Sequence, residues 1–135
     1  MARIIDIEGI GPKYKRLLKE KAGISTTEAL LKASATPKQR KDLASTTGIS
    51  PKLILEWANL ADLFRIEGVG EEYSDLLEEA GVDTVVELAG RNPENLYEAL
   101  SKVNDRKKLV RRLPGPKQVK TWVAKAKKLK RALKY

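Results

Sequence analysis

Two short glycine-bearing segments carry the residue types and spacing that could do chemistry. Ile7-Glu8-Gly9-Ile10-Gly11 runs into Pro12-Lys13, and Ile66-Glu67-Gly68-Val69-Gly70 runs into Glu71-Glu72. The chemistry open to such a pattern is anion binding. A glycine has no Cβ to hold an oxyanion off the backbone, and a helix that starts just after it offers N–H groups without intrahelical acceptors at the positive end of its dipole. Between Pro12 and Lys21 lie five cations (Lys13, Lys15, Arg16, Lys19, Lys21) and one acid, Glu20. Between Glu71 and Ala80 lie five acids (Glu71, Glu72, Asp75, Glu78, Glu79) and no cation. A phosphate is therefore drawn to the first segment and repelled by the second.

What is absent narrows the chemistry further. With no Cys and no His, there is no thiolate nucleophile, no Ser-His-Asp triad, no disulfide framework and no His- or Cys-built zinc site. Glu8 and Glu67 recur at one hairpin position, but Asp6 beside the first has Arg65 as its counterpart beside the second. A cap or local ion pair is expected there, not a metal site. No cofactor is expected, and non-catalytic binding is favoured over an enzyme; a lysine-based lyase is the enzymatic reading that composition leaves open.

Charge is unevenly distributed. The 135 residues hold 27 Lys+Arg and 18 Asp+Glu, a net charge of +9, with a pI near 9.8. Residues 101–135 hold 14 of the basic residues and one acid, whereas residues 1–100 are net −4. A polyanion partner fits that asymmetry. No run approaches the roughly 18 apolar residues of a membrane span, and Met1-Ala2-Arg3-Ile4 lacks a secretory pattern, so no membrane partner and a cytoplasmic location are expected.

The elements that must position the hairpins follow from an internal repeat. At an offset of 59 residues, the first glycine segment aligns with the second, Tyr14 with Tyr73, and Leu17-Leu18 with Leu76-Leu77. Farther on, Pro51-Lys52 and Trp57 align with Pro116-Lys117 and Trp122, the second copy carrying about nine extra residues around Asn104 to Leu113. Prolines preceded by capping residues mark helix starts. Ser25-Thr26-Thr27-Glu28 and Thr84-Val85-Val86-Glu87 read as capping boxes, and Gly23 and Gly81 as left-handed stops. These signals predict helices near 12–22, 26–34, 37–46, 51–64, 71–80, 84–90, 93–103, 105–113 and 116–133, with no strand alternation. The expected fold is all-α, a compact pseudo-two-fold duplicated domain over 1–135. Repeat one covers 1–64 with the basic hairpin, and repeat two covers 65–135 with the acidic hairpin and a basic C-terminal helix.

Both glycine segments, with the leucine pairs that follow, resemble the helix-hairpin-helix family, and the whole layout is similar to an uncharacterised bacterial family of tandem helix-hairpin-helix proteins. The resemblance implies sequence-independent binding of DNA or RNA through the phosphate backbone. On that expectation Gly9, Ile10, Gly11 and Lys13 supply main-chain donors, and Lys13, Lys15, Arg16 and Lys19 neutralise charge. Lys117, Lys120, Lys125, Lys127, Lys128 and Arg131 extend the footprint. Ile10 and Val69 are expected to point inward, and Tyr14, Tyr73, Trp57 and Trp122 to pack. Helix 51–64 is expected to lead into the second hairpin, and the C-terminal helix to fold back beside the first. The alternative is a protein-interaction adaptor of sterile-alpha-motif-like type, with a protein partner at the acidic second hairpin.

Overall fold

Proline after Gly, Thr, Ser or Asn starts five of the helices, where its missing N–H would have had no intrahelical acceptor. The computed structural model describes residues 2–135. Among them a 3-10 turn at Ile4–Asp6 precedes eight α-helices: α1 Pro12–Ala22, α2 Thr27–Ala33, α3 Pro37–Thr47, α4 Pro51–Leu63, α5 Glu71–Glu79, α6 Val85–Ala89, α7 Pro93–Lys107 and α8 Pro116–Lys127. The chain is all-helical; Arg3 and Thr26 form one isolated antiparallel bridge.

Local chemistry sets the helix ends. Thr36 Oγ1 accepts from Gln39 N–H at 3.2 Å, while Gln39 Oε1 accepts from Thr36 N–H at 3.1 Å, a reciprocal capping box. Thr26 caps α2 by accepting from Ala29 N–H at 3.1 Å, and Ala29 has no side-chain acceptor to reciprocate, so the expected box at 25–28 is a single cap. Thr84 accepts from Glu87 N–H, and the Glu87 carboxylate accepts from Asp83 N–H. Gly23 and Gly48 end α1 and α3 at φ 68° and 75°, where a Cβ would clash with the backbone.

Two expected helices differ. No helix spans 105–113: α7 continues to Lys107, and Lys108 turns the chain at φ 52°. α8 stops at Lys127 instead of 133, because Val119, Trp122, Val123 and Ala126 complete its buried stripe while Leu129, next in register, is 36% exposed.

The helices sort into two compact units, one of residues 2–64 with 132–135 and the other of residues 65–131. In the first, α1 packs on α3, and α4 packs on α2 and α3. Its core includes Ile4, Ile7, Ile10, Leu18, Leu30, Ile54 and Trp57. Lys134 N–H donates to Ala35 O at 2.8 Å, and Tyr135 Oη donates to Asn59 Oδ1 at 2.7 Å. The buried Arg40 guanidinium donates to Ser34 O at 2.8 Å and to Lys134 O at 2.7 Å, and lies 5.7 Å from the Tyr135 ring centroid. Such bonding lets a cation be buried without an acid beside it.

In the second unit α5 packs on α7, and α8 packs on α6 and α7. Its buried residues include Ile66, Val69, Leu76, Leu77, Leu88, Leu96, Leu100, Val119 and Trp122.

Candidate functional site

The first hairpin is built on buried apolar residues either side of a glycine. Ile7 and Ile10 are buried, and Ile10 N–H donates to Ile7 O at 3.1 Å to close the turn. Gly9 sits at φ +94°, and a Cβ there would lie 3.2 Å from Trp57 Nε1. Both facts require glycine. Trp57 in turn meets Tyr14 edge-on, with ring centroids 5.0 Å apart. Position 9 therefore serves the fold: it lets the indole of α4 close against the back of the turn.

Gly11 is different. Its φ of −91° and ψ of −172° suit any residue, and a Cβ there would meet nothing within 4 Å. Neither backbone conformation nor packing calls for glycine at this position. Its effect is to leave the mouth of α1 open. Lys15 N–H makes the first intrahelical bond, to Gly11 O at 3.0 Å, and Pro12 has no N–H. Among the described residues nothing accepts from the N–H groups of Gly9, Gly11, Lys13 or Tyr14. The last three are the unsatisfied donors of a helix start, aimed outward at the positive end of the dipole.

Cations surround these donors. Lys13, Lys15, Arg16 and Lys19 are exposed and have no ion-pair partner among the described residues. Lys15, Arg16 and Lys19 line a shallow groove with Ile5, Pro12 and Glu20. Of the expected donors Gly9, Ile10, Gly11 and Lys13, Gly9 N–H also lacks an acceptor but lies outside the helix start. Ile10 N–H is committed to Ile7 and drops out, since closing the turn consumes it; Tyr14 N–H joins, as the third residue of a helix whose first is proline.

The second hairpin has the same internal contacts and the opposite charge. Gly68 sits at φ +92°, with Trp122 Nε1 3.5 Å from where a Cβ would be. Tyr73 and Trp122 rings lie 5.2 Å apart, and Val69 N–H donates to Ile66 O at 3.0 Å. Gly70 is as open as Gly11, but Glu71 and Glu72 occupy the first turn of α5, where they complement the dipole and repel an anion. Lys125 Nζ pairs with Glu67 Oε2 at 3.3 Å, and Lys107 pairs with Glu79.

The expected C-terminal contributors belong to the second unit. Lys117 and Lys120 line a groove with Pro93, Glu94, Tyr97, Glu98 and Pro116. Lys127 and Lys128 are exposed at the end of α8, and Arg131 is exposed in the segment beyond it. Lys125 is engaged by Glu67. The role expected of this helix at the first hairpin is filled by α4. The buried Trp122 of α8 stands behind Gly68, and Trp57 of α4 stands behind Gly9, so each hairpin is closed by the last long helix of its own unit. Helix α4, expected to lead into the second hairpin, packs on α2 and α3.

No helix among the described residues is long and apolar enough to cross a membrane. A family model described as Domain of unknown function (DUF4332) matches residues 8–129. No curated protein and no solved structure matches the chain.

Proposed function

The chain belongs to the DUF4332 family, and from that premise we propose that it binds nucleic-acid duplexes through their phosphate backbone, without sequence preference and without catalysis. The observation that carries this reading is the open mouth of α1. Three outward N–H groups without internal acceptors lie beside four exposed, unpaired cations, at a glycine the fold does not need. A phosphate oxygen seated there would accept from Gly11, Lys13 or Tyr14 while Lys13, Lys15, Arg16 and Lys19 balance its charge. The cations of α8, apart from the engaged Lys125, are available to add to the footprint.

Two helix-hairpin-helix repeats within one chain are part of the same reading. Its support is the shared construction of the two turns: positive-φ glycine, closing tryptophan, a tyrosine ring set at a steep angle against it, and buried aliphatic anchors. The acidic first turn of α5 favours a different role for the second copy, docking of a basic protein surface.

The test is duplex binding measured by fluorescence anisotropy as salt rises from 50 to 200 mM, with DNA duplex, RNA duplex and single strands compared. If the four cations around the hairpin each neutralise one phosphate, affinity falls roughly 150-fold over that range, from a log–log slope of about −0.9 per contact. A flat salt response overturns the proposal.

A further inference from the structure

Between the core of α7 and the start of α8, residues 106–112 read Arg-Lys-Lys-Leu-Val-Arg-Arg: five cations and no acid. Expected within a helix over 105–113, it is instead the last turn of α7, at Arg106 and Lys107, followed by a pinned loop from Lys108. Lys108 N–H donates to Asn104 O at 2.8 Å, Val110 N–H donates to Asn104 Oδ1 at 3.0 Å, and Asn104 Nδ2 donates back to Val110 O at 3.3 Å. Tyr73 Oη donates to Arg112 O at 3.0 Å, and Lys107 pairs with Glu79. Val110 and Pro114 are buried, whereas Arg106, Lys108, Arg111 and Arg112 are exposed and have no ion-pair partner among the described residues.

Lys108 makes the loop more than a charged connection. It stands at φ 52°, the one non-glycine residue at positive φ among the described residues. At the ends of α1 and α3 the chain places glycine in this conformation, which avoids the clash of a Cβ. Here it holds a lysine there. The helix dipole does not account for it, because Arg106 and Lys107 already put two cations in the last turn of α7. A side chain kept at a conformational cost, on a loop braced at both ends with its cations outward, has the form of a built contact for a polyanion.

We propose that the 106–112 segment, the end of α7 and the loop that follows it, is a second phosphate-backbone contact, carried by the second unit and made by Arg106, Lys108, Arg111 and Arg112. This rests on the reading of the first hairpin as a nucleic-acid contact. It gives the acidic copy a route to the same class of ligand that avoids its own hairpin.

The full chain, bound to a mixed-sequence DNA duplex over a salt series, tests it with three variants. Lys108→Gly removes one cation and relieves the backbone, so it is expected to lower affinity about eightfold at 0.1 M salt and the log–log slope by about 0.9. Its thermal midpoint should hold or rise. Arg111→Ala/Arg112→Ala should lower the slope by about 1.8. The control Lys38→Ala/Lys41→Ala removes two exposed cations of the first unit outside both contacts and should change the slope less. If Lys13→Glu weakens binding while the loop variants bind as the unaltered chain does, the loop contact is overturned and the hairpin reading stands. Equal effects of loop and control variants also overturn it, as bulk charge then suffices. No duplex binding by the unaltered chain overturns both.

Discussion

Serine in place of Gly11 should move stability and binding in opposite directions. Position 11 is the N-cap of α1, with extended backbone and empty space where a side chain would stand. A serine there can accept from the N–H of Lys13 or Tyr14, as Ser50 does from Lys52 N–H at 3.2 Å at the head of α4. Serine exceeds glycine as an N-cap by a few tenths of a kcal/mol, so helix α1 gains slightly. Yet the donors it captures are those proposed to hold a phosphate. Loss of one such hydrogen bond to a charged phosphate, about 1.5–3 kcal/mol, lowers affinity about tenfold or more, while the slope of log affinity against log salt stays nearly unchanged because all four cations remain. Gly9→Ala is the companion variant. There the positive φ costs about 1–2 kcal/mol and the new methyl presses on Trp57, so a unit of 60–100 residues should lose roughly 4–16 °C of thermal midpoint. The two tryptophans of the chain fall one in each unit. In a Trp122→Phe background, fluorescence therefore follows the first unit alone, while anisotropy of a labelled duplex reports binding. Unchanged affinity for Gly11→Ser would refute the use of these amides, whatever its effect on stability.

Other expectations follow from the packing. Trp122→Ala should destabilise the second unit by about 3–5 kcal/mol, seen as an earlier urea transition in the fluorescence-silent half by circular dichroism. A single unshifted transition would contradict the indole's role as the closing element of the second hairpin. Arg40→Met should leave Ser34 O and Lys134 O without a side-chain donor, at about 1–3 kcal/mol for each carbonyl that stays buried. Hydrogen exchange at Lys134 N–H should then accelerate, while duplex affinity changes little.

Much of the fold was legible because its punctuation is local. Thr36-Pro37, Ser50-Pro51, Asn92-Pro93, Gly11-Pro12 and Gly115-Pro116 each stand at an N-cap and first helical position, and Gly23 ends α1 in the left-handed region. Inward Ile10 and Val69 and buried Trp57 and Trp122 were equally readable, as apolar residues repeated in register. What escaped depended on contacts distant in sequence or on side chains acting against their habit. Lys108 carries no glycine signal for its turn, and only the Asn104 bracket to Val110 makes it hold. Leu133 completes an apparent helical stripe on paper, yet it is buried in a non-helical tail. For the candidate site, its cations and its open glycine were visible as residue types. Which amides stay unclaimed was not, because that depends on the 3.1 Å bond that closes Ile10 onto Ile7.

Docking of residues 132–135 onto the first unit also bears on how the chain is made. During synthesis the first 64 residues leave the ribosome with Arg40 still lacking its Lys134 acceptor and Asn59 its tyrosine donor. At 5–20 residues per second, those partners follow about 3.5–14 s later. The first unit is therefore completed only after the second has emerged. A nascent chain stalled before Ala132 should present a first unit that is folded but ajar, more open to protease near Ala35 than the released protein.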